Sequence, residues 1–365
     1  MGFSMDVALN DLVIRSVTGF CDTQLEWSSS GVKNAVLEAI ESVEIITKTL
    51  EMMGLPVWTK RVSLPIPRID TYKKIPKLLS EAIVRKDYLL SAGCYMIEEV
   101  DYDTLLNLVE LGAYVCLVYS EEEVAVNKLA KYLIKLSNVN PIYTTQVALS
   151  LNGSPVETPY FPISTSLYGK RVGVSLLYPN YLAKAYKERG LEGVKKALLR
   201  VERELGNLLK EANFFIDYSI SPWGDESVAR LIELVTNAKP YANGFLYGIH
   251  LLNKAIAEAS LILRKMGGFN KVMLPYAEDS YLIELGGRGL INARDFIRYS
   301  SASVPGVDMV VIPLDESGVR GLILDALAVA YLKNYPTGLR VVPVDSEPGS
   351  VVKLGRFGEV YVLNY

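Results

Sequence analysis

The sequence predicts an α/β fold on a largely parallel sheet, and three observations predict it. Short apolar runs rich in Val, Ile and Leu alternate with amphipathic helical stretches along the whole chain. About ten to twelve such runs occur, each bounded by Gly, Pro or polar turn residues. No fixed-period repeat, low-complexity tract or domain-separating linker interrupts them, so residues 1–365 are expected to form one large α/β domain.

In chain order, residues 12–18 read as a strand closed by Gly19. Residues 32–53 read as a helix with an apolar stripe of Val36, Ile40, Val43, Ile46 and Leu50, stopped by Gly54 and Pro56. Strands are expected at 61–65, 87–93 and 114–119, and helices at 72–84, 103–111 and from Glu121 to Leu136. Residues 138–168 hold a candidate strand at 142–149, an Asn152-Gly153 turn and several prolines, and read as a crossover between halves. A clear strand at 171–177 leads into a long charged helix at 181–212, with Gly190 and Gly193 as break points. A short buried strand at 213–217 precedes a helix starting near Asp225, and another helix covers 243–266. After the Gly267-Gly268 stop come a strand at 271–275, the acidic turn Glu278-Asp279, a helix-like stretch and the Gly286-Gly-Arg-Gly289 turn. Residues 307–313 are the most convincing buried strand. An Ala/Leu-rich helix then runs to about Lys333, and a strand at 339–344 and a hairpin of 350–354 with 360–363 close the chain.

Composition excludes several classes of function. Half the residues are hydrophobic and the net charge is -3, without a basic stripe, so neither disorder nor nucleic-acid binding is expected. No apolar run approaches the ~20 residues of a membrane span, and the N-terminus has no signal-like region. A cytoplasmic location is the expectation. Cys21, Cys94 and Cys116 are dispersed and form neither a disulfide framework nor a zinc knuckle. The single histidine, His250, excludes a His-rich metal site within one chain. Only Gln24 and Gln146 represent glutamine, and Lys and Glu are plentiful, a thermophilic, archaeal-like composition.

The chain is organised around Tyr218-Ser-Ile-Ser-Pro-Trp-Gly-Asp-Glu-Ser-Val-Ala-Arg230, a strand, a polar turn and a helix start. α/β proteins place ligands at such junctions, because a helix N-terminus offers unpaired N–H groups and the positive dipole end. Ser219, Ser221, Trp223 and Asp225 are the candidate ligand contacts, and Asp225 reads equally as the N-cap. Arg61 and Ser63 share one strand face and could hold a carboxylate or phosphate. Glu278 and Asp279 follow a strand end, where paired acids do acid–base work, ligate Mg²⁺ or simply form a polar turn. Asp308 lies inside a buried strand and needs a partner.

Taken together, these motifs resemble the uncharacterised DUF711 family, also called UPF0210. The resemblance rests on Ser221-Pro-Trp-Gly-Asp-Glu-Ser-Val-Ala-Arg230 and Gly267-Gly-Phe-Asn-Lys-Val-Met-Leu-Pro-Tyr-Ala-Glu-Asp279. It also rests on Ser303-Val-Pro-Gly-Val-Asp-Met-Val-Val-Ile-Pro313, Arg340-Val-Val-Pro343 and Lys60-Arg61-Val-Ser63. It implies a ten-stranded α/β barrel with surrounding helices, like the pyruvate formate-lyase-type glycyl radical enzymes. Gly355-Arg-Phe-Gly358 does not match their glycyl radical loop, so no glycyl radical is expected. The resemblance further implies an ACT-domain regulatory partner. Where the family has Thr-His-Gly-Thr-Thr, this chain has Ala242-Asn-Gly-Phe-Leu246, which makes Asn243 a candidate ligand residue. Leu176-Leu-Tyr-Pro-Asn180 replaces a Ser-Gly-Pro-Gly loop, and residues 301–303 lack the family's cysteine. If those family positions are catalytic, the chain is a divergent or inactive branch. The expected function is binding of a small anionic metabolite in a non-catalytic or regulatory role. The alternatives are carboxylate acid–base catalysis with Asp225, Glu278 and Asp279 as catalytic groups, and an oligomeric scaffold in which the 23 tyrosines serve interfaces.

Overall fold

The computed structural model describes residues 12–82, 85, 87–119, 123–151, 155–333, 335 and 337–365. Nine strands form one mixed sheet in the order β7-β6-β1-β2-β3-β4-β5-β9-β8. β1 (Val13–Phe20), β2 (Val57–Ser63), β3 (Tyr88–Met96), β4 (Tyr114–Val118) and β5 (Val147–Ser150) run parallel. β6 (Arg171–Leu177) lies antiparallel to β1 and carries β7 (Phe214–Asp217) parallel to itself. At the other end β9 (Gly338–Val344) runs antiparallel to β5 and carries β8 (Gly306–Pro313) parallel to itself. The expected α/β class and mostly parallel sheet are therefore present. Both faces of these strands are covered, which is why they read as continuous apolar runs: all of β4, β5, β7 and β9 is buried.

Helices connect and cover the strands. α1 (Ser29–Met52) packs on β1 and β2 through Val32, Val36, Ile40, Val43, Ile46 and Leu50, and the Ser28 hydroxyl caps it by accepting from Gly31 N. α2 (Ile75–Ala82), α3 (Tyr102–Glu110) and α4 (Glu123–Val139) follow on the parallel half. α5 (Pro141–Thr145), capped by Asn140, takes the place of the first half of the strand expected at 142–149. α6 (Pro179–Leu208) is broken at Arg189 and Gly190, the latter at φ 60, and Gly193 stays inside the helix. α7 (Val228–Thr236) and α8 (Phe245–Ser260) pack on one another, and α8 ends earlier than expected. α9 (Ser280–Gly287) takes in two glycines of the expected 286–289 turn. α10 (Ala293–Ser300) was not anticipated, and α11 (Glu316–Lys333) packs on α4. β10 (Val351–Lys353) and β11 (Glu359–Tyr361) form the expected closing hairpin.

Two further expectations change, and a third is met in part. The helix at 72–84 begins as a 3-10 turn, Ile69–Lys74, before α2, and positions 83 and 84 lie outside the described residues, as do the Asn152-Gly153 turn and Glu121. The strand at 271–275 is reduced to an isolated bridge, Ile220 with Val272. Of the expected ten-stranded barrel, nine strands form one mostly parallel sheet, and no ladder joins the edge strands β7 and β8 among the described residues. Residues 271–273 sit between those edges. Ile220 N donates to Lys271 O at 3.1 Å, Met273 N to Ile220 O at 2.9 Å, and Val304 N to Val272 O at 2.8 Å.

Candidate functional site

Two β-bulges flank the centre of the sheet. Where β1 meets β6 the register slips between Ile14 and Ser16, so Arg15 is the unpaired residue. Where β8 meets β9 it slips between Asp308 and Val310, and Met309 takes the left-handed φ of 52. A bulge bends its strand and re-aims a side chain, and a non-glycine residue at positive φ persists only where its surroundings hold it. Here the bulges bring charged side chains from opposite ends of the chain together.

Arg15 Nη2 donates to Glu278 Oε2 at 2.5 Å, and Arg340 Nη2 donates to Glu278 Oε1 at 2.9 Å. Arg340 also grips Asp308, Nε to Oδ1 at 2.6 Å and Nη2 to Oδ2 at 3.1 Å. Asp308 and Arg340 are direct register partners across β8 and β9. Each of these four residues is at most 7% exposed. Burial pushes the Glu278 carboxyl up, but Arg15, Arg340 and Arg356 together outweigh it and hold it below the usual carboxylate range. Burial raises Asp308, and Arg340 offsets only part of that rise.

Arg61, equally buried on β2, is the unbalanced member. Its Nε donates to Thr59 Oγ1 at 3.0 Å and its Nη1 to Pro159 O at 2.8 Å. No carboxylate pairs with it among the described residues, and nothing there accepts from its Nη2. Burial and then the charges of Arg15 and Arg356 lower its pKa to about 9. A buried cation without a counter-charge is costly, so it marks a place where an anion would be welcome.

These residues line a narrow cavity of about 40 Å³. Arg15, Arg61, Arg340, Glu278 and Asp308 form the charged part, and Phe161, Ile163, Met273 and Leu339 are among its apolar walls. Tyr160 contributes a hydroxyl 3.1 Å from Ser221 Oγ. Outside lies an aromatic layer: Trp223 meets Trp58 at 4.5 Å and Phe357 at 5.6 Å between ring centroids, and Arg15 lies over both indoles. Arg356, exposed on the 3-10 turn Gly355–Phe357 between β10 and β11, reaches the cavity from this side.

A second buried acid fixes the wall. Asp217, at the end of β7, accepts from the backbone N–H groups of Ser219, Phe269 and Asn270 and from the hydroxyls of Ser219 and Thr158. Gly268 passes directly over it at φ +81, where a Cβ would overlap the Asp217 carboxylate. That tie sets the position of Phe269 and, with the Ile220 bridge, of Met273 in the cavity wall.

The structure brings together four of the residues singled out in the sequence: Arg61, Ser221, Glu278 and Asp308. Trp223 lies in the aromatic layer beside them. Ser63 instead accepts a hydrogen bond from Ser164, and Ser219 donates to Asp217. Asn243 is exposed in a separate surface hollow with His250. Asp225 is exposed in the turn and does not cap α7: Ser227 does, its Oγ accepting from Arg230 N at 3.0 Å. The chain makes a small bridged turn, Trp223 with Glu226, which delays the helix by two residues beyond Asp225. Asp279 is fully buried and holds two helix starts, accepting from Ser227 Oγ and Ala229 N at α7 and from Tyr281 N and Leu282 N at α9. With its oxygens so occupied and those of Glu278 held by arginines, the pair does not form a Mg²⁺ site. Among the described residues no cluster of three His, Cys, Asp or Glu is placed to hold a metal.

Sequence reasoning missed Arg15, Tyr160, Arg340 and Arg356. A signal existed for two of them. Arg15 interrupts the apolar run of β1 and Arg340 that of β9, and a cation inside a buried strand needs a partner as much as Asp308 does.

Comparisons with known proteins agree with the motif reading. The family model described as an uncharacterised ACR, DUF711, matches residues 175–355. A UPF0210 protein of Sulfurisphaera tokodaii is 31% identical over 184 residues, 47% of this chain and 41% of that protein. One from Clostridium perfringens is 28% identical over 208 residues, 51% of this chain and 46% of the relative. One from Pyrobaculum aerophilum is 27% identical over 187 residues, 47% of this chain and 42% of the relative. The matched stretch thus spans less than half the length of each of these relatives. No helix among the described residues is long and apolar enough to cross a membrane.

Proposed function

We propose that this chain, which belongs to the DUF711 (UPF0210) family, binds a small anionic metabolite in the arginine-lined cavity in a non-catalytic or regulatory role. One observation carries the reading: Arg61 is buried against the cavity with no carboxylate partner among the described residues, and Arg15 and Arg356 add to the same positive field. Such preorganised guanidinium groups bind carboxylate or phosphate oxygens strongly, because the donors are already desolvated. The two carboxylates favour binding over catalysis. Glu278 is clamped by two arginines and held ionised, and Asp308 is clamped by one, so neither is free to shuttle a proton.

The barrel architecture of the pyruvate formate-lyase type belongs to the same proposal, supported by the hydrogen bonds that residues 271–273 make towards both sheet edges. Action of residues 1–365 as one unit, a cytoplasmic location, a thermophilic source, a homo-oligomer and an ACT-domain partner are carried with it, on composition and resemblance.

Isothermal titration of the full chain with acetate, succinate and inorganic phosphate tests the site. Saturable binding of at least one of them to the wild type, lost in Arg61→Gln while the variant stays folded, supports it. Absence of binding by all three, or binding unchanged in the variant, sinks it.

A further inference from the structure

We infer that the cavity is built for a short-chain monocarboxylate, held between Arg61 inside and Arg356 on the hairpin tip, with its alkyl end against Phe161, Ile163, Met273 and Leu339. This rests on the anion-site reading above and narrows it to a ligand class. Three features of the cavity set that class, beginning with size. One water needs about 10–15 Å³ of such space, so the 40 Å³ cavity holds roughly three to four non-hydrogen atoms. A carboxylate group supplies three of them, which leaves room for a single further carbon.

Charge is the second. The buried groups are three guanidiniums, Arg15, Arg61 and Arg340, against two carboxylates, Glu278 and Asp308. One negative charge balances the set. Arg356 is exposed and its field is screened by water and salt, so it adds attraction without demanding a second buried anion. A dianion would leave one charge uncompensated among largely buried groups.

The lining is the third. Arg61 lies over the Phe161 ring at 5.3 Å and Arg356 over the Tyr114 ring at 5.9 Å, and those two rings are 5.4 Å apart. The guanidiniums thus flank one aromatic pair, while the remaining wall is Ala148, Ile163, Met273, Pro275 and Leu339. A carboxylate with a small apolar end matches both parts; inorganic phosphate, polar on every side, would desolvate without compensation against the apolar wall. Arg356 arrives on a turn set by Gly355 at φ 53 and Gly358 at φ 77, within a two-stranded hairpin separate from the main sheet. It is therefore the specificity residue that closes the outer side.

The test is calorimetric titration of the full chain at pH 7 with acetate, hexanoate, succinate and inorganic phosphate. Acetate is expected to bind one site, with hexanoate, succinate and phosphate at least about tenfold weaker. Arg356→Gln should weaken acetate by about tenfold, the loss of one charge-assisted contact, and Arg61→Gln should abolish binding. Arg61→Lys, which keeps the charge, should retain weak binding and serves as the control for folding. Phosphate or succinate binding as tightly as acetate overturns the monocarboxylate class and leaves the anion site standing. No binding by any of the four overturns both readings. Unchanged acetate affinity in Arg356→Gln overturns the part assigned to the hairpin.

Discussion

Replacing Arg61 by Met should make the anion-free protein more stable. The guanidinium is 5% exposed, and burial with the charges of Arg15 and Arg356 lowers its pKa to about 9. Measured against an ordinary guanidinium, that fall corresponds to unfavourable charge burial on the order of 5 kcal/mol at neutral pH. Against it stand the hydrogen bonds to Thr59 Oγ1 and Pro159 O, each leaving an unsatisfied acceptor at roughly 1–2 kcal/mol when lost. The balance favours the variant by ~2 kcal/mol, within the range seen when buried ions give way to apolar side chains. For a chain of 365 residues this is about 2–3 °C in Tm. The pH dependence has a definite sign. A base with a depressed folded pKa destabilises in full below that pKa, and the penalty fades as pH rises above about 9. The advantage of the variant should therefore shrink between pH 7 and pH 10. Scanning calorimetry in a zwitterionic, anion-poor buffer reads both values. Acetate at about a hundredfold excess over its Kd should add about 2.7 kcal/mol to the wild type alone and reverse the order. A variant less stable than the wild type without anion by more than about 1 kcal/mol would refute the claim that Arg61 is an uncompensated buried charge.

Other perturbations follow from the same geometry. Glu278→Gln leaves Arg15 and Arg340 facing each other with one counter-charge fewer, and urea denaturation should register a loss of about 3–5 kcal/mol. Because the folded Glu278 pKa is depressed, its contribution is present above the unfolded value of about 4.3 and lost as pH falls through the folded one, so the variant should show a flatter acid limb below about pH 4. Asp279→Ala should cost about 2–4 kcal/mol, since it uncaps two helices, while Asp225→Ala should stay within about 0.5 kcal/mol and leave anion titrations unchanged. Equal losses in that pair would contradict the placement of the cap at Ser227 and Asp279. Gly268→Ala should shift the 268–273 segment off Asp217, weakening acetate binding by about tenfold in calorimetry together with a drop in Tm; wild-type affinity would argue against the tie.

The sheet was legible because its strands are buried on both faces, and their apolar runs at 171–177, 307–313 and 339–344 coincide with β6, β8 and β9 to within a residue. α10 was not, because Ala293–Ser300 is short and carries two arginines, and its buried side is only Ala293, Phe296, Tyr299 and Ser300. Asp225 and Ser227 are both good capping residues, and only the turn that bridges Trp223 to Glu226 decides between them. Glu278 and Asp308 were visible as acids in need of a partner. Their partners were not, because the Arg15–Glu278 pair spans 263 positions and is brought about by a bulge that leaves no local signature. The Glu278-Asp279 doublet also shows how adjacency misleads: neighbours in sequence, the two carboxylates point to different partners and do different work.

The joining of the sheet at β1 and β6 has a consequence for the sign of the cavity. Arg15 and Arg61 come from the parallel strands β1 and β2, before the segment matched by the family model, and together supply two positive charges. Glu278, Asp308 and Arg340 come from within that segment and Arg356 directly follows it, and the four charges cancel. Taken alone, the later half is neutral and the earlier half is a pair of arginines with no carboxylate between them. Only the seam between the halves, with its bulge at Arg15, turns the pocket into one that attracts an anion. A relative carrying the later half on a different N-terminal half would keep these four charges in balance and lose the net attraction for an anion.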